Sequence, residues 1–242
     1  MTDDLSPADR AKRAAAQVAV DFVEDGMALG LGTGSTADWM LRLLAERIAA
    51  EGLSVTGVPT SDRTAATARE LGIPLTTLDE TPFLDLCIDG ADELDPALNL
   101  IKGGGGALLM EKIVAAASKR MVVIADDAKV VDRLGAYPLP VEIVPFGQAA
   151  TERLIRDCLS CQDVAGRRAT LRMAAEAAYT TDLGHEILDL QLGRIGDPRA
   201  LDIQLNAIPG VVEAGLFCGY ATSAVIGRPD GTTELLQAQR QT

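Results

Sequence analysis

The feature that most restricts the fold is an alternation of short apolar segments with amphipathic segments along the first part of the chain. Short continuous apolar strands separated by helices are typical of βαβ units, in which helices cover both faces of a parallel sheet. We therefore predict an α/β domain with a parallel, Rossmann-like sheet. Its predicted elements are a helix from Pro7 that stops before Gly26, strand 27–32, helix 37–50, strand 54–59, helix 61–72, strands 73–78 and 83–89, helix 107–118 and strand 120–126.

The rhythm changes after residue 137 and indicates a second, smaller domain. Its predicted order is βαββαβ, which is that of ferredoxin-like α+β folds: strand 140–144, helix 147–158, strands 168–173 and 185–192, helix 197–208 and strand 211–217. Two short strands around a turn at 223–237 are expected to return to an edge of the first sheet. The predicted boundaries are 1–137 with 217–242 for the α/β catalytic domain, and 138–216 for the small domain.

The charge of the chain restricts its partners. There are 22 Lys and Arg against 35 Asp and Glu, a formal net charge of −13. So acidic a surface repels phosphate backbones and anionic lipids, which argues against nucleic acid or a membrane as the partner. No apolar stretch approaches a membrane span, and the acidic first residues do not resemble a signal peptide, so a cytoplasmic location is expected.

The small number of cysteines and histidines argues against redox, zinc and nucleophile–histidine sites. Cys158 and Cys161 form a CxxC that could be redox-active or half of a zinc site, but there is no second CxxC, and structural thiols are expected. The only histidine, His185, lies in a turn before a strand-like stretch and is interpreted as a surface loop residue. A nucleophile and histidine apparatus would have to use it.

The stretch LGLGTGSTADW (29–39) is a candidate phosphate-binding loop. Its glycines permit a tight turn after a strand, and amides and hydroxyls of Thr33, Gly34, Ser35 and Thr36 would lie at the start of the next helix. The pattern is neither GxGxxG nor a P-loop, so neither a dinucleotide nor a nucleoside triphosphate is indicated. A small phosphorylated ligand is predicted, and a capped turn without ligand is the alternative.

A second stretch, DGADELDPALNLIKGGGGALLMEK (89–112), combines acids, lysines and four consecutive glycines. Asp89, Asp92 and Glu93 would lie at the carboxyl edge of the sheet, where open parallel sheets bind ligands. Glu111 shares an apolar helix face, whose burial would suit a general base, but Lys112 has equally apolar neighbours. Lys129 follows another strand and is either a ligand-binding cation or an ordinary helix lysine.

These stretches together resemble one enzyme family, ribose-5-phosphate isomerase type A. The motifs run in order along nearly the whole chain, and DGADE followed by KGGGGA and a glutamate nine residues past the lysine is highly specific to that family. The segments are GTGST (32–36), GVPTSDRTAATARELGI (57–73), DGADELD (89–95), KGGGGALLMEKIVA (102–115), DDAKVVDRLG (126–135), PLPVEIVPF (138–146) and NAIPGVVEAGLF (206–217).

The resemblance implies interconversion of D-ribose 5-phosphate and D-ribulose 5-phosphate in the pentose phosphate pathway, without metal or other cofactor, by a homodimer or a dimer of dimers. It matches Glu111 to the general base, and Asp89, Asp92 and Lys102 to groups that open the sugar ring and stabilise the enediolate. The substrate-binding positions it implies are Thr33, Gly34, Ser35, Thr36, Asp89, Gly90, Ala91, Asp92, Lys102, Gly103, Gly104, Gly105 and Lys129.

Two departures from the family pattern are visible. Met110 stands where a basic residue is common, and Leu183 and His185 replace asparagines in the turn of the small domain. The first could alter the surroundings of the base, and the second concerns a region away from the reaction.

Residue chemistry and resemblance agree on a proton shuttle through a cis-enediolate, with Glu111 as the shuttle and Lys102 and glycine amides facing the developing charge. A metal-assisted hydride shift would need clustered histidine and carboxylate ligands. Two alternatives stay open. A sugar-phosphate sensor of a transcription regulator should carry a basic helix-turn-helix, which this acidic chain lacks. An amino-sugar phosphate deaminase should carry a catalytic histidine.

Overall fold

The computed structural model describes residues 5–238 and divides the chain into two compact units. The first unit contains Met110–Val130 and the described parts of Met1–Ala91 and Gly219–Thr242, and the second contains Asp92–Leu109 and Val131–Cys218. The predicted boundaries placed residues 92–109, 131–137 and 217–218 in the first domain. They belong to the second unit because Leu100–Ile101 pairs with Leu216–Phe217, and because Glu93 accepts hydrogen bonds from the amides of Gly135 and Tyr137.

The first unit is the predicted α/β domain. Its elements are α1 (Pro7–Val20), β1 (Ala28–Leu31), α2 (Ser35–Glu51), β2 (Thr56–Pro59), α3 (Asp62–Glu70), β3 (Leu86–Gly90), α4 (Leu108–Ala116), β6 (Met121–Asp126), a 3-10 turn (Asp127–Lys129), β14 (Ser223–Gly227) and β15 (Thr233–Gln237). Strands are numbered in chain order through both units. The α/β class expected from the sequence is confirmed.

One six-stranded sheet organises this unit, with the strand order β15-β14-β6-β3-β1-β2. All neighbouring pairs are parallel except β14 with β15, so the hairpin returns to the sheet edge as predicted. The predicted strand at 73–78 is wrong: only Leu75 makes a bridge, to Gly57 of β2. Two backbone hydrogen bonds form this bridge, from the amide of Gly57 to the carbonyl of Pro74 and from the amide of Thr76 to the carbonyl of Gly57. Pro74 has no amide hydrogen with which to extend the ladder.

The first helix shows how local sequence signals act in this unit. Ser6 caps α1 by accepting a hydrogen bond from the amide of Asp9, and the helix begins at Pro7, as predicted. The helix ends at Val20 instead of reaching Gly26, yet Val23 beyond it is buried in the core. Against β14, a Cβ on Gly227 would lie 1.9 Å from the carbonyl oxygen of Ala11, so only glycine permits this close approach.

The second unit contains the predicted ferredoxin-like arrangement. Its elements are β4 (Glu93–Leu94), β5 (Leu100–Ile101), β7 (Leu139–Ile143), α5 (Gln148–Ser160), β8 (Arg168–Leu171), β9 (Met173–Ala174), β10 (Ala177–Ala178), β11 (Glu186–Gln191), α6 (Pro198–Asn206), β12 (Val211–Ala214) and β13 (Leu216–Phe217). The main sheet is antiparallel with the order β12-β7-β11-β8, in which the first and third strands of the βαββαβ unit are central.

Small sheets complete the second unit and correct one prediction. The predicted strand at 211–217 is divided at Gly215, and its last part, β13, pairs with β5 in a separate three-stranded sheet. A Cβ on Gly215 would lie 2.3 Å from the carbonyl oxygen of Lys102 and 3.0 Å from that of Pro140, so the chain turns where two backbones approach closely. Within residues 5–238, we find no helix of the length and apolarity that crossing a membrane requires.

Candidate active site

The glycine loop of the first unit starts the longest helix described, α2. Gly34 is its N-cap, with φ 115° and ψ 175°, a backbone region that is essentially restricted to glycine. A Cβ at this position would meet no atom within 4 Å, so the conformation and not crowding requires glycine. The amides of the first helical turn and the helix dipole provide positive potential for an anion at Ser35 and Thr36.

A lysine that the sequence analysis missed reaches this loop from α1. Lys12 Nζ donates a hydrogen bond of 2.9 Å to the hydroxyl oxygen of Ser35, 23 residues further along the chain. The helical periodicity of α1 identifies a half-exposed lysine here but does not reveal which surface it faces. The contact supplies a cation to a loop in a strongly acidic protein.

The hydroxyl of Thr33 is used inside the unit. Its Oγ1 lies 2.7 Å from that of Thr60, 2.8 Å from Ser61 Oγ and 3.0 Å from Thr64 Oγ1. Thr60, Ser61 and Thr64 are all buried, and Thr64 donates a further hydrogen bond to the carbonyl of Gly32. This hydroxyl cluster therefore fixes the loop from behind, and the short motif TSDRT gave no signal of it beyond the Ser61 helix cap.

Asp89, at the end of β3, is joined to the same loop. Its Oδ1 accepts hydrogen bonds from the amides of Thr33, at 3.0 Å, and Gly90, at 2.7 Å. A Cβ on Gly32 would lie 2.2 Å from this oxygen, so glycine is required for the carboxylate to approach. The structure thus brings together two predicted site segments that lie 56 residues apart.

Glu111 lies on the first turn of α4 and is 4% exposed, while Lys112 is 5% exposed. Burial therefore does not separate the two candidates that the apolar pattern left open. α4 packs against β1 where Gly30 faces Val114, since a Cβ on Gly30 would lie 2.6 Å from Val114 Cγ1. Glu111 precedes Val114 by one turn, which places it toward the carboxyl end of the parallel strands, the edge that carries Asp89.

The two other lysines considered in the first unit, Lys112 and Lys129, differ in their surroundings. Lys112 Nζ lies 6.0 Å from the centre of the Tyr220 ring. Lys129 ends the 3-10 turn directly after β6 and is half-exposed, so it lies at the predicted carboxyl edge.

In the second unit, Asp92 and the glycine run form one cluster. Asp92 Oδ2 accepts a hydrogen bond of 2.7 Å from the amide of Gly104. A Cβ on Gly104 would lie 2.4 Å from the Tyr137 hydroxyl and 2.7 Å from Asp92 Oδ1. Burial, and then the negative charge of Asp92, raises the pKa of Tyr137 above its usual value.

Lys102 begins the glycine run and is 2% exposed. Its ammonium group lies 5.5 Å from the centre of the Phe217 ring, on β13. Its amide donates to the carbonyl of Gly215, which fixes the backbone from which the side chain extends. Such a desolvated cation is energetically costly unless it serves a charged partner or ligand.

Arg172, which the sequence analysis did not select, contacts the glycine run through its backbone carbonyls, whereas Asp92 contacts a backbone amide. Its Nη1 donates to the carbonyls of Gly103 and Gly104, at 2.9 and 3.2 Å, and its other nitrogens contact the carboxylate of Asp189. Tyr179 donates a longer hydrogen bond, 3.3 Å, to the carbonyl of Gly105. No local motif marks these residues, because the contacts span about 70 residues of sequence.

His185 and the cysteines lie elsewhere. His185 is in a loop, as predicted, but Nδ1 lies 2.9 Å from Oε1 of the buried Glu142, so it is more than a surface residue. Cys158 and Cys161 carry free thiols, the first half-buried and the second exposed. Among residues 5–238, no group of three or more histidine, cysteine and acidic side chains is arranged to hold a metal ion.

Comparison with known proteins places this chain in a class of sugar-phosphate isomerases. The family model for ribose 5-phosphate isomerase A (phosphoriboisomerase A) matches residues 56–231. The ribose-5-phosphate isomerase A of a Ruegeria species is 59% identical over 97% of this chain and 90% of its own. That of Cereibacter sphaeroides is 62% identical over 96% of this chain and 92% of its own.

A solved structure agrees with the family match. A D-ribose-5-phosphate isomerase in complex with phospho-erythronic acid has a TM-score of 0.87 and 39% identity, covering 95% of this chain and 99% of the other. The chain belongs to the ribose 5-phosphate isomerase A family. The predictions that it is an enzyme and an aldose–ketose isomerase of this kind are confirmed.

Proposed function

We propose that Glu111 is the general base by which this enzyme interconverts D-ribose 5-phosphate and D-ribulose 5-phosphate. Its carboxylate removes the proton from C2 of the open-chain aldose, and the C–H electron pair forms a C1–C2 double bond as the aldehyde oxygen becomes an enediolate oxygen. The same carboxyl group returns the proton to C1, while the proton of the C2 hydroxyl passes to the oxygen on C1, which leaves a hydroxyl at C1 and a ketone at C2. One buried carboxyl group therefore serves both half-reactions.

The observation that carries this assignment is the position of Glu111. It is buried, one helical turn before the Val114 contact with Gly30, on the face of α4 that packs on β1. Removal of water strengthens a carboxylate as a base, because the charged form loses its hydration. Lys112 has equal burial, but an ammonium group only donates hydrogen bonds, whereas a carboxylate can accept a proton and return it.

The other predicted residues receive roles from their chemistry. Asp89 accepts the hydroxyl proton released when the sugar ring opens, and its fixed Oδ1 leaves the carboxylate oriented by two amides. Asp92 hydrogen-bonds sugar hydroxyls. Lys102, together with the backbone amides of Gly103 and Gly105, stabilises the negative charge on the enediolate oxygens, while the amide of Gly104 orients Asp92. Preorganised donors act most strongly where water is excluded.

The substrate phosphate is assigned to the loop Thr33–Thr36. Ser35 and Thr36 offer amides and hydroxyls at the start of α2, Gly34 gives the turn, and Lys12 adds the cation. Thr33 contributes by holding the loop, since its hydroxyl and amide are engaged within the unit. Gly90, Ala91 and Lys129 complete the proposed sugar-binding positions.

The cellular setting of the enzyme is also a proposal. We place it in the non-oxidative branch of the pentose phosphate pathway, in the cytoplasm, as a homodimer or a dimer of dimers that uses neither metal nor other cofactor. A net charge of −13 supports a small-molecule partner over nucleic acid, because the surface repels other polyanions.

An assay of ribulose 5-phosphate formation from ribose 5-phosphate, run with and without a metal chelator, tests the reaction. Turnover that persists after prolonged treatment with the chelator is expected from a carboxylate base. A reaction that stops with chelator and returns with a divalent ion would contradict the proton shuttle. Binding of ribose 5-phosphate without any turnover would favour the sensor alternative.

A further inference from the structure

The peptide unit between Gly103 and Gly104 is held from both ends. Its carbonyl oxygen accepts a hydrogen bond of 2.9 Å from Arg172 Nη1, and its amide donates one of 2.7 Å to Asp92 Oδ2. In a trans peptide, the carbonyl and the amide point in opposite directions. Arg172 on one side and Asp92 on the other therefore fix the rotation of this plane, which glycines alone would leave free.

The next peptide unit, between Gly104 and Gly105, is held through its carbonyl. Arg172 Nη1 also contacts the carbonyl of Gly104, at 3.2 Å, so the amide of Gly105 points away from the guanidinium. Gly105 is exposed. The carbonyl of Gly105 accepts from the Tyr179 hydroxyl at 3.3 Å, and the amide of Gly106 donates back to Gly103. The amides of Gly104 and Gly106 thus donate to Asp92 and Gly103, whereas that of Gly105 lies on the side of its peptide away from Arg172.

Arg172 is itself fixed with little freedom. Nε and Nη2 bind the two oxygens of Asp189, at 2.9 and 2.5 Å, and both side chains are largely buried. The Arg172 amide donates to the carbonyl of Ile187, and β8 pairs with β11 from Leu171 and Leu188 onward, which brings Arg172 beside Asp189. The planar guanidinium group thus donates hydrogen bonds to the Asp189 carboxylate from one edge and to carbonyls of the glycine run from the other. A lysine ammonium group cannot reproduce this geometry.

We propose that Arg172, fixed by Asp189, is a positioning residue for isomerisation. It orients the carbonyls of Gly103 and Gly104 so that the amides of the glycine run, that of Gly105 above all, face the enediolate oxygen. A cation on the carbonyl side also polarises each peptide, which strengthens its amide as a donor. This inference rests on the proposed function of Gly103–Gly105 and adds a residue that does not touch the substrate.

The test uses Arg172→Lys, which keeps the charge but loses the fork. We expect kcat to fall about 10- to 100-fold with KM for ribose 5-phosphate changed less than about threefold, because amide donors matter most in the transition state. Calorimetric titration should show weaker binding of phospho-erythronic acid, with unchanged stoichiometry and unchanged affinity for inorganic phosphate. Unchanged stoichiometry shows that the sites remain folded.

Two further variants keep the proposal falsifiable if Arg172→Lys does not fold. Asp189→Asn should lower kcat in the same direction while Arg172 remains present. Tyr179→Phe, which removes one exposed hydroxyl, should lower kcat by a smaller factor. Arg194→Lys is the matched control, because Arg194 makes a comparable pair with Asp163 in the same unit without contacting the glycine run.

Wild-type turnover separates this inference from the proposed function. If the wild type isomerises ribose 5-phosphate and these variants keep its kcat, Arg172 has no positioning role and the proposed function stands. A parallel loss of kcat and of affinity for inorganic phosphate would also overturn the inference, since it would indicate general damage. A wild type without isomerase activity would refute the proposed function itself.

Discussion

The amide of Thr33 donates a hydrogen bond of 3.0 Å to Oδ1 of Asp89, and this bond joins the end of β3 to the loop that precedes α2. Gly32 makes the approach possible, because a side chain there would overlap the carboxylate. The residue proposed to accept a ring hydroxyl proton and the loop proposed to hold the phosphate thus share one rigid connection. The distance between the two ends of the sugar would be set by backbone geometry.

Gly32→Ala should disable the enzyme by displacing Asp89. A Cβ would lie 2.2 Å from Asp89 Oδ1, so the carboxylate must move, and small misplacements of catalytic groups cost about 100-fold in rate. Steady-state kinetics should show a lower kcat. Gly26→Ala is the control: its φ of 82° also disfavours alanine, but no atom lies within 4 Å, so stability falls and kcat stays. Equal kcat in both variants would contradict the argument.

Glu111→Gln should abolish isomerisation and preserve binding. Glutamine keeps the shape of the side chain but cannot accept and return a proton, so kcat should fall by at least about 10³-fold. Titration with phospho-erythronic acid measures whether binding is retained. Lys112→Met is the matched control for its equally buried neighbour and should keep most of the turnover. Normal turnover by Glu111→Gln would remove this residue from the mechanism.

Ser35→Ala combined with Thr36→Ala should raise KM about tenfold with little change in kcat, because the phosphate is remote from the reacting carbons and binds ground and transition states alike. Lys12→Met should act similarly, and its effect should shrink at high salt, since the contact with Ser35 lies at the surface. Arg13→Met, the next residue on α1, is the control. An unchanged KM in the first two variants would place the phosphate elsewhere.

Stability should decline above about pH 10 in a way that depends on Tyr137. Burial raises the pKa of Tyr137 in the folded protein, so the unfolded chain loses this proton first. The stability that the neutral phenol contributes is complete below the unfolded pKa and is lost as pH rises through the folded pKa. Urea unfolding between pH 8 and 11 measures the decline, which Tyr137→Phe should make shallower. An identical decline in that variant would rule out Tyr137 as its source.

His185→Ala should destabilise the second unit without affecting kcat. It removes a contact of 2.9 Å to the buried carboxylate of Glu142, leaving the hydrogen bond from Thr181, and such a loss costs about 1–3 kcal/mol. Chemical denaturation measures the change. Leu183→Asn, at the other departure in this turn, should change stability little because Leu183 is exposed. A large loss of kcat in the folded His185→Ala variant would contradict a purely structural role.

Local signals predicted most of the fold. The cap at Ser6, the apolar strands β1, β3 and β6, and the βαββαβ order of the second unit all follow from periodicity and turn residues. The errors occur where partners are distant in sequence. Pro74 lacks the amide hydrogen that a sixth parallel strand beside β2 would need. The strand predicted at 211–217 is interrupted at Gly215, and its last part pairs with β5.

The same limit applies to the candidate site. Asp89, Lys102 and Glu111 could be selected because their residue types stand beside glycines and strand ends. Lys12 and Arg172 could not, since each reaches its loop across 23 or more residues by a direction that periodicity does not specify. Because Glu111 and Lys112 are equally buried, burial does not show which of them is the base. The choice of Glu111 depends on its chemistry and on the family pattern.

The first unit is assembled from three separate stretches of chain, and the fifth of its parallel strands, β14, comes from the last of them. During synthesis, four strands of the sheet leave the ribosome before β14, namely β1, β2, β3 and β6, so β6 lacks its neighbour on one side. The contact of α1 with Gly227 also cannot form before β14 has been made. Folding of this unit should therefore be complete only after the β14–β15 hairpin has been synthesised.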